Sequence, residues 1–279
     1  MRVLSLFGLA LLLGLLAGCE AGEAPLSMTE GAIMGTDYHV TWDNPAGVDE
    51  QQVRAGIFAA LSEVEQVMST YREESDLMVL NRAPINTPVV VKDELFHLLE
   101  LSGQITRASG GAFDVTVGAL VNLWGFGPDA RPDQVPDAEQ IVLVKAQTGF
   151  EHVHLDAATK SVRKERALMI DLSAIAKGYG VDRAAAYLES QGISRYMVEV
   201  GGEIRLKGPK PGGKPWRIAI ERPEGLREIY GVLELNDAGI ATSGDYRNYF
   251  EQDGRRYSHT IDPSTGYPIT HDLTSVTVL

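Results

Sequence analysis

The sequence predicts an α+β fold: a single domain with helices mainly in the N-terminal half and a mostly antiparallel sheet or meander in the C-terminal half. Three observations predict it. Stretches with an apolar residue every third or fourth position fall in the first two thirds of the chain, short β-rich segments divided by glycine and proline crowd its last third, and no regular winding of strand and helix joins the two. With 279 residues, 44% hydrophobic and 23% charged, the composition is that of a globular protein.

The chain opens with "MRVLSLFGLALLLGLLAGC", in which one arginine precedes an apolar run too short to span a bilayer comfortably, then small residues and Cys19. Residues 1–18 read as an export signal. Cys19 is the only cysteine, and "LLAGC" resembles the bacterial lipobox, which implies cleavage before Cys19 and lipid attachment to its thiol. The expected location is the bacterial cell envelope, membrane-anchored and facing the periplasm or the outside. Residues 19–30 then form a lipidated cysteine and a flexible tether, and the folded domain spans 31–279.

In "DEQQVRAGIFAALSEVEQVMSTY", Val53, Ile57, Leu61, Val64 and Met68 recur at helical spacing. A second helix is expected from about Asp93 to Ala108, opened by an acidic residue and closed by Gly110-Gly111. A third runs from Ser173 to Gln191 and stops at Gly192. "YMVEV", "EIRLKG", "WRIAIER", "YGVLEL", "GIATSG", "RRYSHTI" and "SVTVL" follow as strands. The last ends at Leu279 without a polar tail, so the expectation is a domain incomplete at its C-terminus.

A formal net charge of −13, from 25 basic and 38 acidic residues, argues against a nucleic-acid partner, because that binding depends on many Lys and Arg contacts to phosphate. An anionic ligand here needs local cations: a lysine, main-chain amides or a metal ion.

One candidate for such a place is "LMIDLSAIAKGYGVDRAAAYLES" at 168–190, where an apolar run passes directly into a helix. The first turn's free N–H groups and the positive end of the helix dipole suit a phosphate. Two readings stand for Asp171: an N-cap, or part of a ligand site with Lys177, where Gly178 and Gly180 admit close approach. In "GGAFDVTVGALVNLWGFG" at 110–127 the aromatic residues either pack in the core, the preferred reading for Trp124, or flank a flat ring that hydrogen-bonds to Asp114. Tyr71 stands at a helix end, where burial is the plainer reading and stacking on a planar ligand the other. "GGE" at 201–203 marks a tight turn or bulge. In "YSHTIDPSTGYPI", Asp262 to Gly266 is good turn chemistry, and His259 before it is either structural or an acid/base group titrating near neutrality. Gly-x-Ser-x-Gly, Walker, CxxC and His-rich metal patterns are absent from the sequence.

Taken in order, these blocks resemble the ApbE family, the bacterial FAD:protein FMN transferases. The resemblance is carried by Met34-Gly35-Thr36, Ser69 with Tyr71 through Ser75 to Asn81, Ala112-Phe113-Asp114-Val115 with Gly118, Asp171 through Gly178, Gly201-Gly202-Glu203, Ala241-Thr242-Ser243-Gly244-Asp245, and His259 through Pro263 with Thr265-Gly266. It implies a flavinyltransferase that binds FAD as substrate, uses Mg²⁺ as cofactor, transfers FMN to a threonine hydroxyl of an acceptor protein and releases AMP. By motif position it implies FAD contacts from Met34, Tyr71, Ala112, Phe113, Asp114, Asp171, Lys177 and Ile261, and a carbonyl from Ala174 to the metal. His259 takes the acid/base position. The family's other metal ligands are expected beyond Leu279. Two rival activities fit the same residues: a Mg²⁺-dependent FAD pyrophosphatase and a non-catalytic flavin-binding lipoprotein.

Overall fold

The computed structural model describes residues 26–129, 133–223 and 228–279. The export signal, Cys19 and the first part of the tether lie outside the described residues. Strands β1 (Ser27–Ile33) and β2 (Thr36–Trp42) lead into α1 (Glu50–Met68), α2 (Asp76–Arg82), β3 (Val89–Val90), α3 (Asp93–Ala108), α4 (Gly118–Leu123) and α5 (Ala138–Lys145). Then come β4 (Val153–Asp156), β5 (Ser161–Lys164) and α6 (Ser173–Ser190). The remainder is β6 (Tyr196–Val200), β7 (Glu203–Lys207), β8 (Trp216–Glu221), β9 (Ile229–Leu235), β10 (Ala238–Gly244), β11 (Tyr249–Gln252), β12 (Arg255–Ser258) and β13 (Ser275–Val278).

The α+β expectation holds, and the long helices form for the reasons the sequence suggests. The α1 stripe of Val53, Ile57, Leu61, Val64 and Met68 is buried along its whole length, and Asp49 caps the helix by accepting from the Gln51 and Gln52 amides. Helix α3 stops at a pair of glycines in the left-handed region, Gly110 (φ 62°) and Gly111 (φ 88°).

A six-stranded antiparallel sheet in the order β1-β2-β6-β7-β10-β13 is the frame. Its first two strands depart from the sequence reading, because β1 begins at Ser27, inside the segment read as tether. In β1 the inward positions are Ser27, Thr29 and Gly31 with only Ile33 buried, so the alternation is weak there, whereas in β2 Tyr38, Val40 and Trp42 point inward between Asp37, His39 and Thr41. Helices α1 and α6 cover this face, and Ile57, Leu61, Ala184, Ala185 and Leu188 close a core against Val40, Tyr196 and Val198. Glu189 of α6 ties helix to sheet, since it accepts from the Tyr196 hydroxyl (2.6 Å) and pairs with Lys207 (3.1 Å) and Arg205 (3.4 Å). Burial pushes the Tyr196 phenol well up, and Glu189 adds to the shift.

A second core joins the end of α1 to α2, α3 and the small β3-β5-β4 sheet through Met68, Leu77, Leu95, Phe96 and Val162. The third gathers Leu120 and Leu123 of α4 and Trp124 just after it with Ile141 of α5, Phe250 of β11 and Ile261. The helices beyond those expected, α2, α4 and α5, are short segments. The β8-β9 and β11-β12 hairpins branch from the frame as separate two-stranded sheets.

Candidate functional site

The strand-to-helix corner at residues 168–173 is held from several sides. Asn81 acts as a surrogate strand, donating to the Ile170 carbonyl and accepting from its amide, both at 2.8 Å. The Asp171 amide donates to the Val115 carbonyl (2.7 Å), and the Gly118 amide donates to Met169 (3.1 Å). A Cβ at position 118 would meet the Met169 carbonyl oxygen at 2.8 Å, so this crossing requires glycine. Lys164 is buried beneath the corner and donates to the carbonyls of Asn81 (2.5 Å) and Leu168 (3.5 Å); burial lowers its pKa.

The N-cap reading of Asp171 is off by one residue: Leu172 takes the cap position without a side-chain hydrogen bond, and Asp171, just before it, accepts from the Ser173 amide through Oδ1 (2.8 Å) as α6 begins. Ala174 is exposed on the next position of that first turn. Lys177, one turn further on, reaches across to β7: its Nζ lies 2.9 Å from Glu203 Oε2 and donates to the Gly201 carbonyl (3.2 Å).

The "GGE" block is the expected tight turn, joining β6 to β7 with Gly201 at φ 57°. It lies beside the β1-β2 turn: a Cβ at Gly201 would sit 2.8 Å from Thr36 Cγ2 and 3.0 Å from Lys177 Cδ. That neighbouring turn is a two-residue loop of Met34 (φ 54°) and Gly35 (φ 72°), the positive-φ pair that matches strand twist. A methionine in the left-handed region costs about 1–2 kcal/mol. The Met34 amide is held there by Glu65 Oε1 of α1 at 3.0 Å, while Arg72 holds Glu65 Oε2 at 3.4 Å.

Tyr71 corrects the plainer sequence reading. Its ring is 66% exposed, because α1 ends at Met68 and the chain turns outward through Ser69, whose hydroxyl accepts from the Tyr71 amide (3.1 Å). Partial desolvation raises the phenol pKa, and the nearby Asp171 carboxylate raises it further. Tyr71 and Asp171 therefore border the same surface.

In the 112–114 block, Ala112 is exposed and Phe113 packs partly against the second core. Asp114 braces the loop: Oδ1 accepts from the Thr116 amide (2.8 Å) and hydroxyl (2.7 Å), and Oδ2 accepts from the Phe150 amide (3.1 Å). Trp124 is fully buried, as preferred from sequence, and donates to the Gly266 carbonyl (2.9 Å).

His259 sits where that aromatic core meets the corner. Phe126 presents an edge to its ring at 6.4 Å, and both its main-chain amide (3.0 Å) and ring Nδ1 (3.2 Å) reach the Asn248 carbonyl. A carbonyl can only accept, so this contact places the proton on Nδ1 and leaves Nε2 as the basic nitrogen. Burial depresses the His259 pKa; the Asn248 contact opposes that, the Lys177 charge lowers it further and the Asp245 carboxylate raises it. Histidine and lysine thus share one electrostatic neighbourhood although 82 positions separate them (259 minus 177). Ile261 is buried in the aromatic core and bridges to Pro268, so its side chain faces inward. Asp262 is a turn residue, its Oδ1 accepting from the Ser264 amide (2.8 Å) and hydroxyl (2.7 Å).

Sequence reasoning missed Glu65, Arg72 and Arg256, which act by holding others, and assigned no role to Asp245. Arg256 lies 3.2 Å from Asp245 Oδ2. A groove of about 400 Å³ over Gly56, Ala59, Ala60 and Ala186 lies on the outer side of α1 and α6, and none of the expected site residues line it.

An exposed tyrosine near the start of α6, and an accessible lysine in the electrostatic neighbourhood of a half-buried histidine, give this α+β protein groups suited to an anionic, ring-bearing ligand. The comparisons give this class its particular form. The sequence model of the ApbE family matches residues 34–279, and the chain belongs to that family. It is 49% identical over 267 residues to the FAD:protein FMN transferase of Vibrio cholerae, covering 95% of this chain and 79% of that one. A Haemophilus influenzae protein of the same name is 43% identical over 272 residues, with 95% and 78% covered. The structure of this chain resembles that of the Vibrio cholerae flavin transferase ApbE, with a TM-score of 0.83 at 45% identity, covering 91% of this chain and 82% of the other. It is also similar to the apo form of the Pseudomonas stutzeri flavinyl transferase ApbE, with a TM-score of 0.82 at 40% identity and coverage of 91% and 79%.

Proposed function

We propose that this protein transfers FMN from FAD to a threonine hydroxyl of an acceptor protein and releases AMP. The convergence of Tyr71, Asp171, Lys177 and His259 from distant parts of the chain carries this reading, because it supplies ring contact, phosphate charge and a base in one place. Family membership and the names of the relatives support it.

Tyr71 stacks on a planar portion of the nucleotide, for which its exposed ring is suited. Amides at the start of α6 receive phosphate oxygens, and Lys177 exchanges part of its contact with Glu203 for them. His259 Nε2 takes the proton of the threonine hydroxyl as its oxygen bonds to the phosphorus of the FMN half. The phosphoanhydride bond to the AMP half breaks, and AMP leaves with that bonding pair. A depressed His259 pKa keeps the imidazole neutral, hence basic, at neutral pH.

A hard cation here would be held in large part by its substrate. Ala174 offers a main-chain oxygen, and among the described residues no group of three or more His, Cys, Asp or Glu could hold a metal ion. Mg²⁺ takes one or two protein oxygens when phosphates and waters supply the rest. An ion held by the Ala174 carbonyl and the substrate's phosphate oxygens would supply neutralisation of the diphosphate charge. Anchoring through Cys19 at the membrane, facing the periplasm or the outside, is part of the same proposal and rests on the "LLAGC" sequence.

The test incubates the full-length protein in detergent with FAD, Mg²⁺ and a threonine-bearing acceptor domain, measuring acceptor mass and AMP together. An FMN-sized mass gain abolished by EDTA is the expected result. AMP with free FMN and no mass gain would make the protein a pyrophosphatase, and intact FAD would make it a binding protein.

A further inference from the structure

Asp245 is a buried carboxylate that neither the fold nor the reaction described so far uses. It follows β10 and is 8% exposed. Arg256 of β12 lies 3.2 Å from Oδ2, whereas Oδ1 is fully buried with no hydrogen-bond partner. An unpaired carboxylate oxygen in the interior costs several-fold more than the same group in water, so its retention asks for a reason.

The surrounding chain supplies one. Residues 245–248 form a short bend between β10 and β11 whose two ends both grip the segment carrying His259. At one end Asp245 pairs with Arg256; at the other the Asn248 carbonyl receives the His259 amide and ring Nδ1. The bend therefore fixes the imidazole and sets a carboxylate in its neighbourhood at once. The charged groups around His259 are Lys177 from α6, which disfavours a second positive charge, and Asp245, which favours it, with Arg256 tempering Asp245.

We propose that Asp245 is the positioning residue for His259: clamped by Arg256 through Oδ2 and left unpaired at Oδ1, it holds negative potential in reserve for the imidazolium formed when His259 takes the acceptor's proton. This rests on His259 being the base. Imidazolium gains more from Asp245 than neutral imidazole does, so the carboxylate acts mainly as charge develops. It also offsets part of the effect of Lys177, whose charge is needed for phosphate and is adverse for the protonated base. Arg256 keeps the offset moderate, so that the imidazole stays neutral before reaction.

Two variants of opposite sign test it: Asp245→Asn, which keeps shape and loses charge, and Arg256→Gln, which frees the carboxylate from its partner. The His259 imidazole is titrated by NMR in isotope-labelled full-length protein in detergent, and the pH profile of turnover is measured beside it. In Asp245→Asn the His259 titration moves to lower pH by about one unit and turnover falls about tenfold, with KM for FAD unchanged. In Arg256→Gln the titration moves to higher pH. A bend that matters only for folding would move both variants alike or neither, and that result, in proteins that melt as the parent does, overturns the proposal. Full transfer activity in His259→Ala, with the two titration shifts intact, would instead remove His259 as the base and leave the pairing standing.

Discussion

The C-terminal half of α6 and the bend beneath His259 both set charged groups against a core, and they treat them in opposite ways. On α6, Glu189 receives Tyr196, Arg205 and Lys207, so that hydroxyl, guanidinium and ammonium all find one carboxylate. Around His259, Asp245 Oδ1 and Ser258 Oγ are buried with no partner. The first arrangement is complete and locks helix to sheet. The second is incomplete, at about 1–3 kcal/mol for each unsatisfied group, and lies where a reaction needs free hydrogen-bonding capacity. The saturated cluster ties the frame together, and the unsatisfied pair lies beside His259.

The widest separation between the two regions is expected from His259→Ala. Turnover falls by about 10²- to 10⁴-fold, as for loss of a general base, while the melting temperature stays close to the parent's. The parent's pH profile belongs to the same test: burial holds the His259 pKa below its ordinary value of 6.5, so activity persists below that pH and falls only as the ring protonates. A fall beginning above pH 6.5 would contradict the assignment.

Leu188→Ala in the saturated region should do the reverse, costing about 2–5 kcal/mol of stability in urea titrations with KM for FAD unchanged in the folded fraction. Lys177→Ala comes next, weakening FAD binding by about tenfold or more in equilibrium titration, in keeping with a hydrogen bond to a charged group. The exposed substitution Ala186→Ser serves as its comparison, and equal affinities in the two would return residues 171–178 to a helix start alone. Smallest is Ser258→Ala, which removes an unpaired buried hydroxyl and should change stability by less than about 1 kcal/mol, in the stabilising direction if at all. A large loss there would mean that Ser258 is already partnered.

Much of the frame was legible because it is written in local periodicity. The α1 stripe, the acidic start and double-glycine stop of α3, and strands such as "YMVEV" need no knowledge of the rest of the chain. Strand β1 is hard to read because its inward positions are Ser27, Thr29 and Gly31 rather than apolar residues, whereas β2 does alternate, with Tyr38, Val40 and Trp42 buried between Asp37 and His39. Short α4 has no side-chain cap to announce it. At the site, Asp171, Lys177 and His259 stand in recognisable blocks. Their supporting residues do not, since the hold of Glu65 on Met34 spans 31 positions and the Asn81 clamp on Ile170 spans 89. Spacing along a chain carries no trace of such pairs. Tyr71 was read toward burial on residue type alone, and only the outward turn after Met68 exposes it.

The Met34 turn, the Tyr71 loop, the 171–178 corner and the His259 bend meet only after distant stretches have paired. Ribosomes deliver these pieces in order, so a nascent chain holds the ring-contacting and phosphate-facing parts well before it holds the base. Until β11 and β12 have folded back against α4, the chain lacks the group proposed to receive the proton. The last hairpin to form is therefore the one on which the proposed base depends.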